Sequence, residues 1–148
     1  MKYQYQNERI PQAKRQEIND KLLYLIDSGT AQSQGITKKD IYNAYTGDGG
    51  LHGLNYSDYD NYHAYSEAKK EVENGQFFTP PHLCELVVNS LNLTVDDFVA
   101  DLTCGMGGFF NFLPVETNAY GCEIDIKAYK VATTLFPNAR IENKDIRL

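Results

Sequence analysis

The second half of the chain alternates short apolar runs with amphipathic stretches. Apolar runs at about 98–103, 119–123 and 139–144 have the length and composition of strands. Amphipathic stretches over about 80–91 and 126–136 predict helices before the first strand and between the second and third. Strands that alternate with helices in this way favour a parallel α/β sheet with right-handed crossovers.

The pattern also predicts how these helices begin and which faces are apolar. Thr79 can cap the helix over 80–91, with Pro80 at its first position. A further helix is expected to start near Gly108, and Pro114 should end or kink it early. The residues expected on one apolar face are Leu83, Leu86, Val87 and Leu91 in the first helix, and Ala128, Val131, Ala132 and Leu135, pointing inward, in the last.

The first half of the chain predicts helices and connectors. Helices are expected over 7–28, which Gly29 ends, over about 38–45 and over 58–74. A glycine-rich segment, 47–53, is interpreted as a connector because it lacks the preceding strand and the lysine of a phosphate-binding loop. The residues predicted to start the three helices are Pro11 in the first, Thr37 with Asp40 as a capping box and Ile36 with Ile41 as its hydrophobic staple in the second, and Ser57 with Asp60 in the third.

Three tyrosines in the third predicted helix allow two interpretations. Tyr59, Tyr62 and Tyr65 could stack on nucleic-acid bases, or they could pack on a neighbouring surface. Few basic residues lie nearby, so packing is favoured. After this helix the composition changes to a rigid extended segment with two prolines. We therefore divide the chain into a helical extension, 1–74, and a second domain, 75–148.

Composition limits the classes of protein to be considered. The 148 residues carry a net charge of −6 at pH 7, which is not the basic footprint of a nucleic-acid-binding domain. No apolar run approaches the ~20 residues of a membrane span and no signal peptide is recognised, so a cytoplasmic protein without a membrane partner is expected. Three cysteines without a C-x-x-C pair predict reduced thiols, and three scattered histidines predict no metal site.

The most informative stretch follows the first predicted strand. In Asp101–Phe109 the acidic end of the strand is followed by three glycines in four positions, where the backbone can turn sharply and lie close to a bound group. It is neither a G-x-G-x-x-G motif nor a Walker A loop. The second strand ends in Glu123, near the spacing of ~20 residues expected for an acid that binds ribose hydroxyls. The third strand runs into Asp145, so three carboxylates predict a nucleoside site at the carboxyl edge of the sheet.

With these motifs in place, residues 75–148 resemble the start of a gamma-class adenine-N6 DNA methyltransferase. The likeness is to modification subunits of type I restriction systems and to related methylases of phages and mobile elements. Gly75–Pro80 resembles the family's opening motif and Asp101–Phe109 its first cofactor motif, and the two motifs at this distance form a specific pair. The resemblance implies a Rossmann-like α/β fold with S-adenosylmethionine as the cofactor.

The resemblance also implies which residues bind that cofactor. In the family, the opening motif lies against the methionine end of S-adenosylmethionine. Glu123 matches the acid that binds the ribose, and Asp145 matches the acid that accepts a hydrogen bond from the adenine amino group. The residues assigned to the cofactor are Phe78, Thr79, Pro80, Asp101, Thr103, Cys104, Gly105, Gly107, Gly108, Phe109, Glu123, Ile124, Asp145 and Ile146.

The catalytic motif of the family is expected beyond Leu148. It reads Asn-Pro-Pro-aromatic and would follow Asp145, whereas Pro80–Pro81 belongs to the opening motif. The expectation is therefore an N-terminal fragment, inactive alone, with no catalytic residue and with the first half of the methyltransferase domain at 75–148. The implied reaction is methyl transfer to adenine N6 of a base flipped out of DNA, in a restriction-modification context.

Two other functions stay open at this point. One is an RNA or protein methyltransferase of the same fold, because fold does not fix substrate. The other is a non-catalytic cofactor-binding or interaction subunit. The expected partners are DNA, mostly through regions outside this sequence, specificity or nuclease subunits, and a second copy of the chain through an exposed sheet edge.

Overall fold

The computed structural model describes residues 12–46, 56–73 and 79–147. The chain divides into two compact units, Met1–Phe77 and Phe78–Leu148. The helices are α1 (Gln12–Asp27), α2 (Lys38–Thr46), α3 (Tyr62–Glu73), α4 (Pro81–Ser90) and α5 (Ile126–Leu135), with short 3-10 helices at Tyr56–Asp58 and Phe109–Phe112. The strands are β1 (Phe98–Asp101), β2 (Asn118–Glu123) and β3 (Arg140–Asn143). Pro11 and the segment 47–53 lie outside the described residues.

In the first unit, the start of α2 is determined by local sequence. The Thr37 N–H donates to Asp40 Oδ2 at 2.8 Å, and the Asp40 N–H donates to Thr37 Oγ1 at 3.1 Å. Ile36 and Ile41, the predicted staple, are both buried, and α2 contacts α1, where Leu22 is fully buried. The predicted capping box and staple are confirmed.

The start of α3 differs from the prediction. Ser57 lies in the first 3-10 helix, and α3 begins directly after Asn61. The side-chain Oδ1 of Asn61 accepts a hydrogen bond from the Ala64 N–H at 2.9 Å. Asn61 is therefore the cap, and the predicted cap of Ser57 with Asp60 is wrong. Asparagine and serine are about equally good caps, so the sequence alone did not separate the two positions.

The tyrosines around the start of α3 contact one another. The ring of Tyr65 lies edge-on to those of Tyr56 and Tyr59, with centroids 5.6 and 5.7 Å apart. Tyr62 is tilted against Tyr65 at 6.2 Å. Edge-on contacts at these distances are typical of aromatic packing, which accounts for the tyrosine spacing within this segment.

The second unit is built on a parallel sheet in the order β1-β2-β3. Phe98–Asp101 pairs with Asn118–Gly121, and Tyr120–Glu123 pairs with Arg140–Asn143. The predicted α/β fold with a parallel sheet behind a helical segment is confirmed. Because parallel strands all point the same way, their carboxyl ends meet at one edge, where ligands bind in folds of this class.

One core cluster of the second unit lies on the face of the sheet that carries Gly121 and Ile141. Phe110 and Ile141 pack in one cluster with Ala132 of α5. A Cβ added at Gly121 would lie 2.9 Å from Cys104 Sγ and 3.0 Å from Phe110 Cζ. The bare backbone at Gly121 therefore lets these two side chains lie directly on β2. The four residues of α5 predicted to point inward are all buried: Ala128, Val131, Ala132 and Leu135.

The helix predicted to start near Gly108 is only the 3-10 helix Phe109–Phe112. Leu113, which precedes Pro114, has an extended backbone with ψ of 149°. A residue before proline is displaced from the helical region, so the helix cannot extend past this point. The predicted early end at Pro114 is therefore confirmed, although the segment is a 3-10 helix of four residues.

The start of α4 also differs from the prediction. Pro80 is the N-cap residue, with ψ of 141°, and Pro81 opens the helix. Thr79 is therefore one position too early to cap it, and no side chain makes a capping hydrogen bond there. The cause is again a proline effect, because Pro81 excludes the helical region for Pro80.

The apolar face predicted for α4 is largely exposed. The residues that α4 buries are Cys84 and Val88, which are four positions apart. Cys84 lies beside Gly108, where an added Cβ would be 3.3 Å from its Sγ, so a glycine lets the helix approach along this stripe. The exposed residues are Leu83, Leu86, Val87 and Leu91, at 41–65% of their full accessibility.

We expect Gly107→Ala to destabilise the second unit by about 2–5 kcal/mol. Gly107 has φ of +87°, and an added Cβ would lie 2.6 Å from Cδ2 of Phe136. The left-handed backbone costs roughly 1–2 kcal/mol for a residue with a Cβ. Forcing a methyl group against a packed ring adds roughly 1–3 kcal/mol. Denaturant-induced unfolding measures the loss.

Gly29→Ala is the matched control for this substitution. Its φ is +66°, but nothing lies within 4 Å of an added Cβ, so only the backbone strain applies. We expect about 1–2 kcal/mol there. Equal losses at the two glycines would contradict the packing role of the Phe136 ring under Gly107.

Candidate functional site

Three acidic side chains stand at the carboxyl ends of the three strands. Asp101 ends β1, Glu123 ends β2 and Asp145 follows β3. Asp101 pairs in register with Gly121, and Glu123 pairs with Asn143, so the acids lie along one edge of the sheet in a staggered row. The three acids therefore lie at the carboxyl edge of the sheet, and a nucleoside site there stays a prediction.

The loop after β1 lies against β2 before it turns away. The Cys104 N–H donates to the Cys122 carbonyl oxygen at 2.9 Å, and the Gly107 N–H donates to the Cys104 oxygen at 2.7 Å. Gly105 and Gly107 have φ of +55° and +87°. Glycine adopts a left-handed backbone without the steric penalty that other residues have. The two left-handed positions therefore explain two of the glycines in the motif.

Glu123 joins this glycine loop to the turn after β2. Its Oε2 accepts a hydrogen bond from the Gly105 N–H at 2.8 Å, and its Oε1 accepts one from the Asp125 N–H at 2.7 Å. The side chain is 8% exposed. A carboxylate offers about four lone-pair positions, so two remain for the hydroxyl groups of a ligand. Hydrogen bonds to a charged acceptor are the stronger kind.

Asp101 is half-buried at the end of β1. Burial raises the pKa of its carboxyl group, and a hydrogen bond from the Thr103 N–H at 3.1 Å opposes the rise. A raised pKa means that the folded state binds the proton more tightly than the unfolded state does. Protonated Asp101 therefore contributes to the stability of the fold at low pH, and this contribution is lost as pH rises through the raised pKa. A carboxylate kept at such a cost is a candidate functional group.

The start of α4 reaches the glycine loop. The Cys84 thiol donates to the Thr79 carbonyl oxygen at 3.5 Å. A Cβ added at Gly108 would lie 3.3 Å from Cys84 Sγ and 3.9 Å from that same oxygen. Thr79 and Gly108 are thus brought together through Cys84, with Pro80 beside them as the helix cap. Phe78 lies outside the described residues.

Two further residues of the predicted set contribute packing to the loop. Cys104 is buried, and its burial, with the nearby carboxylates, raises the pKa of its thiol to about 12. The thiol is therefore protonated at neutral pH, and its Sγ lies against Gly121. Phe109 is half-buried where the second 3-10 helix begins.

Asp145 is held by an arginine two residues later. The Arg147 Nε donates to both carboxylate oxygens, at 2.9 and 3.1 Å, and the backbone N–H of Arg147 donates to Oδ1 at 2.9 Å. These contacts lower the pKa of Asp145 to about 2. The carboxylate is ionised at neutral pH, with a guanidinium group against both of its oxygens.

Two apolar side chains stand exposed next to these acids. Ile124 follows Glu123 and is 62% exposed, and Ile146 follows Asp145 and is 48% exposed. Exposed isoleucines beside polar acceptors suit the faces of a planar heterocycle. Their position agrees with the predicted flanking role, which stays a prediction.

Two residues that the sequence reasoning missed fix the turn after β2. The Asn143 side-chain amide donates to the backbone oxygens of Glu123 and Ile124, at 2.7 and 3.1 Å. Asp125 caps α5 by accepting from the Ala128 N–H at 2.8 Å. An acid directly before a predicted helix start could have signalled Asp125. Nothing local signals Asn143, because its role depends on the pairing of β3 with β2.

Within 12–46, 56–73 and 79–147, no group of three or more His, Cys, Asp or Glu side chains could hold a metal ion. In the same ranges, no helix has the length and apolar character needed to cross a membrane.

Comparison with known proteins assigns the family. The family model for N-6 DNA methylases matches residues 59–147, which is more than half of the chain. The chain belongs to the N-6 DNA methylase family. The resemblance inferred from the motifs is confirmed, and the matched residues include all of α3 and the second unit as far as Arg147.

The chain also resembles a solved structure. It is similar to a modification subunit of a putative type I restriction enzyme from Vibrio vulnificus YJ016, with 20% sequence identity and a TM-score of 0.46. The likeness covers 82% of this chain and 28% of that one, so the chain spans 28% of the length of that subunit. No curated protein matches the chain.

We expect Arg147→Gln to raise the pKa of Asp145 from about 2 towards its ordinary value of 3.8. The substitution removes the charged donors that favour the ionised carboxylate. The stabilising contribution of the pair is present above the ordinary pKa and is lost as pH falls through the lowered one. Carboxyl ¹³C shifts followed over acidic pH give the midpoint directly.

Lys144→Gln is the control for this titration. Lys144 pairs with Glu142 at 3.2 Å, so its loss should leave the midpoint of Asp145 unchanged. The same midpoint in the wild type and in Arg147→Gln would show that the arginine does not set the charge state of Asp145.

Proposed function

We propose that this methylase holds S-adenosylmethionine at the carboxyl edge of its sheet. The cofactor would be bound by a Rossmann-like domain over 75–148, behind a helical extension over 1–74. The observation that carries the proposal is the hydrogen bond from Gly105 to Glu123, because it joins the glycine loop and the ribose-binding acid in one site. Family membership supports S-adenosylmethionine over other nucleosides.

The chemical groups of S-adenosylmethionine suit the residues present. The ribose diol donates two hydrogen bonds, and Glu123 has two free acceptor positions. Asp145 can accept from the adenine amino group, with Ile124 and Ile146 against the ring. The amino-acid end is zwitterionic, so its ammonium group suits Asp101, a half-buried carboxyl group with a raised pKa, and its carboxylate suits the N–H groups of the glycine loop.

Arg147 affects how the adenine would enter. The guanidinium group and the adenine amino group would use the same carboxylate of Asp145. Arg147 is itself largely exposed, and an exposed ion pair of this kind contributes little net stability. We therefore propose that the arginine turns aside when adenine binds.

The proposed reaction is methyl transfer to N6 of adenine in DNA, with the base flipped out of the duplex. S-adenosylmethionine supplies an electrophilic methyl group when bound. We assign the described residues of this chain to binding and orienting that cofactor, and we assign none of them a catalytic role.

The proposed partners follow from charge and from the free strand edges. A net charge of −6 does not favour DNA binding by this chain alone, so DNA would be held mostly by other surfaces. Specificity or nuclease subunits of a restriction-modification system are further proposed partners. Within the described residues β1 and β3 each pair on one side only, which favours self-association at an edge. A cytoplasmic location remains a prediction.

Calorimetric titration should show selective binding of S-adenosylmethionine over ATP and NAD. Ile124→Ala should weaken that binding by about 1 kcal/mol, roughly fivefold, because the variant buries less apolar surface against adenine. Ile124 is already 62% exposed, so its truncation should leave the fold intact. Circular dichroism checks the fold of the variant.

Val115→Ala is the matched control for Ile124→Ala. Val115 is a branched side chain, 93% exposed, in the segment that leads into the amino end of β2, away from the acids. We expect no change in affinity. Equal effects of the two substitutions on affinity would show that Ile124 does not contact the cofactor. If the folded wild type does not bind S-adenosylmethionine, the proposal that this chain binds the cofactor is wrong.

We expect Asp101→Asn to weaken S-adenosylmethionine binding while raising the melting temperature by a few degrees. Asparagine can still accept from the Thr103 N–H, but it avoids the cost of a half-buried charge. The gain should shrink on acidification, because the wild-type carboxyl group is then protonated. Lower stability of the variant at pH 7 would mean that the carboxylate stabilises the fold.

A further inference from the structure

The two carboxylate oxygens of Glu123 are bonded to two different segments of backbone. Gly105 belongs to the loop after β1, eighteen positions earlier in the chain, and Asp125 belongs to the turn after β2. Through these two hydrogen bonds, the side chain of Glu123 links the loop after β1 to the turn after β2. Glu123 is nearly buried, so water competes little for them.

The glycine loop has few other attachments at this point. Its backbone lies against β2 through Cys104, and Gly107 lies over the ring of Phe136. Gly105 stands between these contacts, with φ of +55°. Glycine loses more conformational entropy than other residues when it is fixed, so ordering this position needs a strong partner. The carboxylate supplies one at 2.8 Å.

The second bond acts on α5. The Asp125 N–H donates to Glu123, and the Asp125 side chain in turn caps the helix by accepting from the Ala128 N–H. Glu123 therefore connects the loop, the turn and the first turn of α5 in one chain of hydrogen bonds.

We propose that Glu123 is a positioning residue that holds the glycine loop in its binding geometry before any cofactor arrives. This role is separate from a direct contact with ribose. It rests on the proposed function only for the identity of the ligand, since both hydrogen bonds are made between residues of this chain. The consequence is that Glu123 influences the amino-acid end of the ligand, which the loop holds, as well as the ribose.

Glu123→Gln tests this role with the smallest change of shape. Glutamine replaces one acceptor oxygen with a donor, so it cannot accept from both N–H groups. Amide hydrogen exchange of the unliganded chain, followed by NMR, should speed up roughly tenfold or more at Gly105 or Asp125, as expected for loss of a hydrogen bond to a charged group. Exchange in the middle of α5, for example at Val131, should stay unchanged.

Glu142→Gln is the matched control for the exchange experiment. Glu142 is also a strand glutamate, but its described partners are the side chains of Arg140, Tyr120 and Lys144. Its replacement should leave exchange at Gly105 and Asp125 as in the wild type. If Glu123→Gln does not fold, Glu123→Asp keeps the charge but is one methylene shorter, and the same local increase at Gly105 is expected.

A second measurement separates positioning from ribose contact. Adenosine contains the ribose but lacks the amino-acid end, whereas S-adenosylhomocysteine contains both. A positioning role predicts that Glu123→Gln lowers the affinity for S-adenosylhomocysteine by a larger factor than the affinity for adenosine. A ribose contact alone predicts equal factors.

Unchanged exchange at both Gly105 and Asp125, an increase spread evenly over the second unit, or equal factors for the two ligands would each overturn the positioning role. If the wild type binds neither ligand, the proposed function fails. The exchange measurement, made without ligand, still decides whether Glu123 holds the loop.

Discussion

Gly121 occupies the middle of β2, and the thiol of Cys104 and the ring of Phe110 lie where its side chain would be. Cys104 opens the glycine loop and Phe110 belongs to the 3-10 helix that leaves it. Close approach at this one position therefore sets both ends of the loop against the same strand. Gly105 is then within hydrogen-bond distance of Glu123, two residues beyond Gly121. The polar contacts of the site therefore depend on the close packing of side chains against the backbone of Gly121.

The acids of this edge are stabilised in three different ways. Glu123 has two backbone N–H donors, Asp145 has a neighbouring guanidinium group, and Asp101 has one backbone donor in a half-buried position. The consequence is visible in opposite shifts, a lowered pKa for Asp145 and a raised one for Asp101. The electrostatic cost is therefore greatest at the end of β1. A ligand with a positive charge would relieve that cost, and S-adenosylmethionine carries its positive charges at the methionine end.

The sequence predicted best those features that depend on neighbouring residues. The capping box of α2 and the inward face of α5 are both as expected, because periodicity and caps act within a few residues. The exposed face of α4 was not predictable in this way. The buried stripe of that helix is the one that faces Gly108. This glycine lies after β1, far from the helix in the sequence.

The candidate site shows the same limit. The motif spacing located the glycine loop and the acids at the strand ends, but their side-chain partners are set by tertiary structure. The bond from Gly105 to Glu123 crosses eighteen positions, and the Asn143 amide reaches the turn after β2 only because β3 pairs in register with β2. A one-residue slip of that pairing would turn Asn143 to the other face. Proximity of this kind is not present in any local pattern.

The two ends of the proposed adenosine site differ in how far they are prepared. Glu123 is nearly buried and fixed by backbone donors, whereas Asp145 is bonded to the flexible and largely exposed side chain of Arg147. A ribose would therefore meet an acceptor already in position, at little cost of ordering. An adenine amino group would have to exchange with a guanidinium group. Preorganisation on this edge is concentrated where the glycine loop and Glu123 meet, so that half of the site should contribute most of the binding free energy.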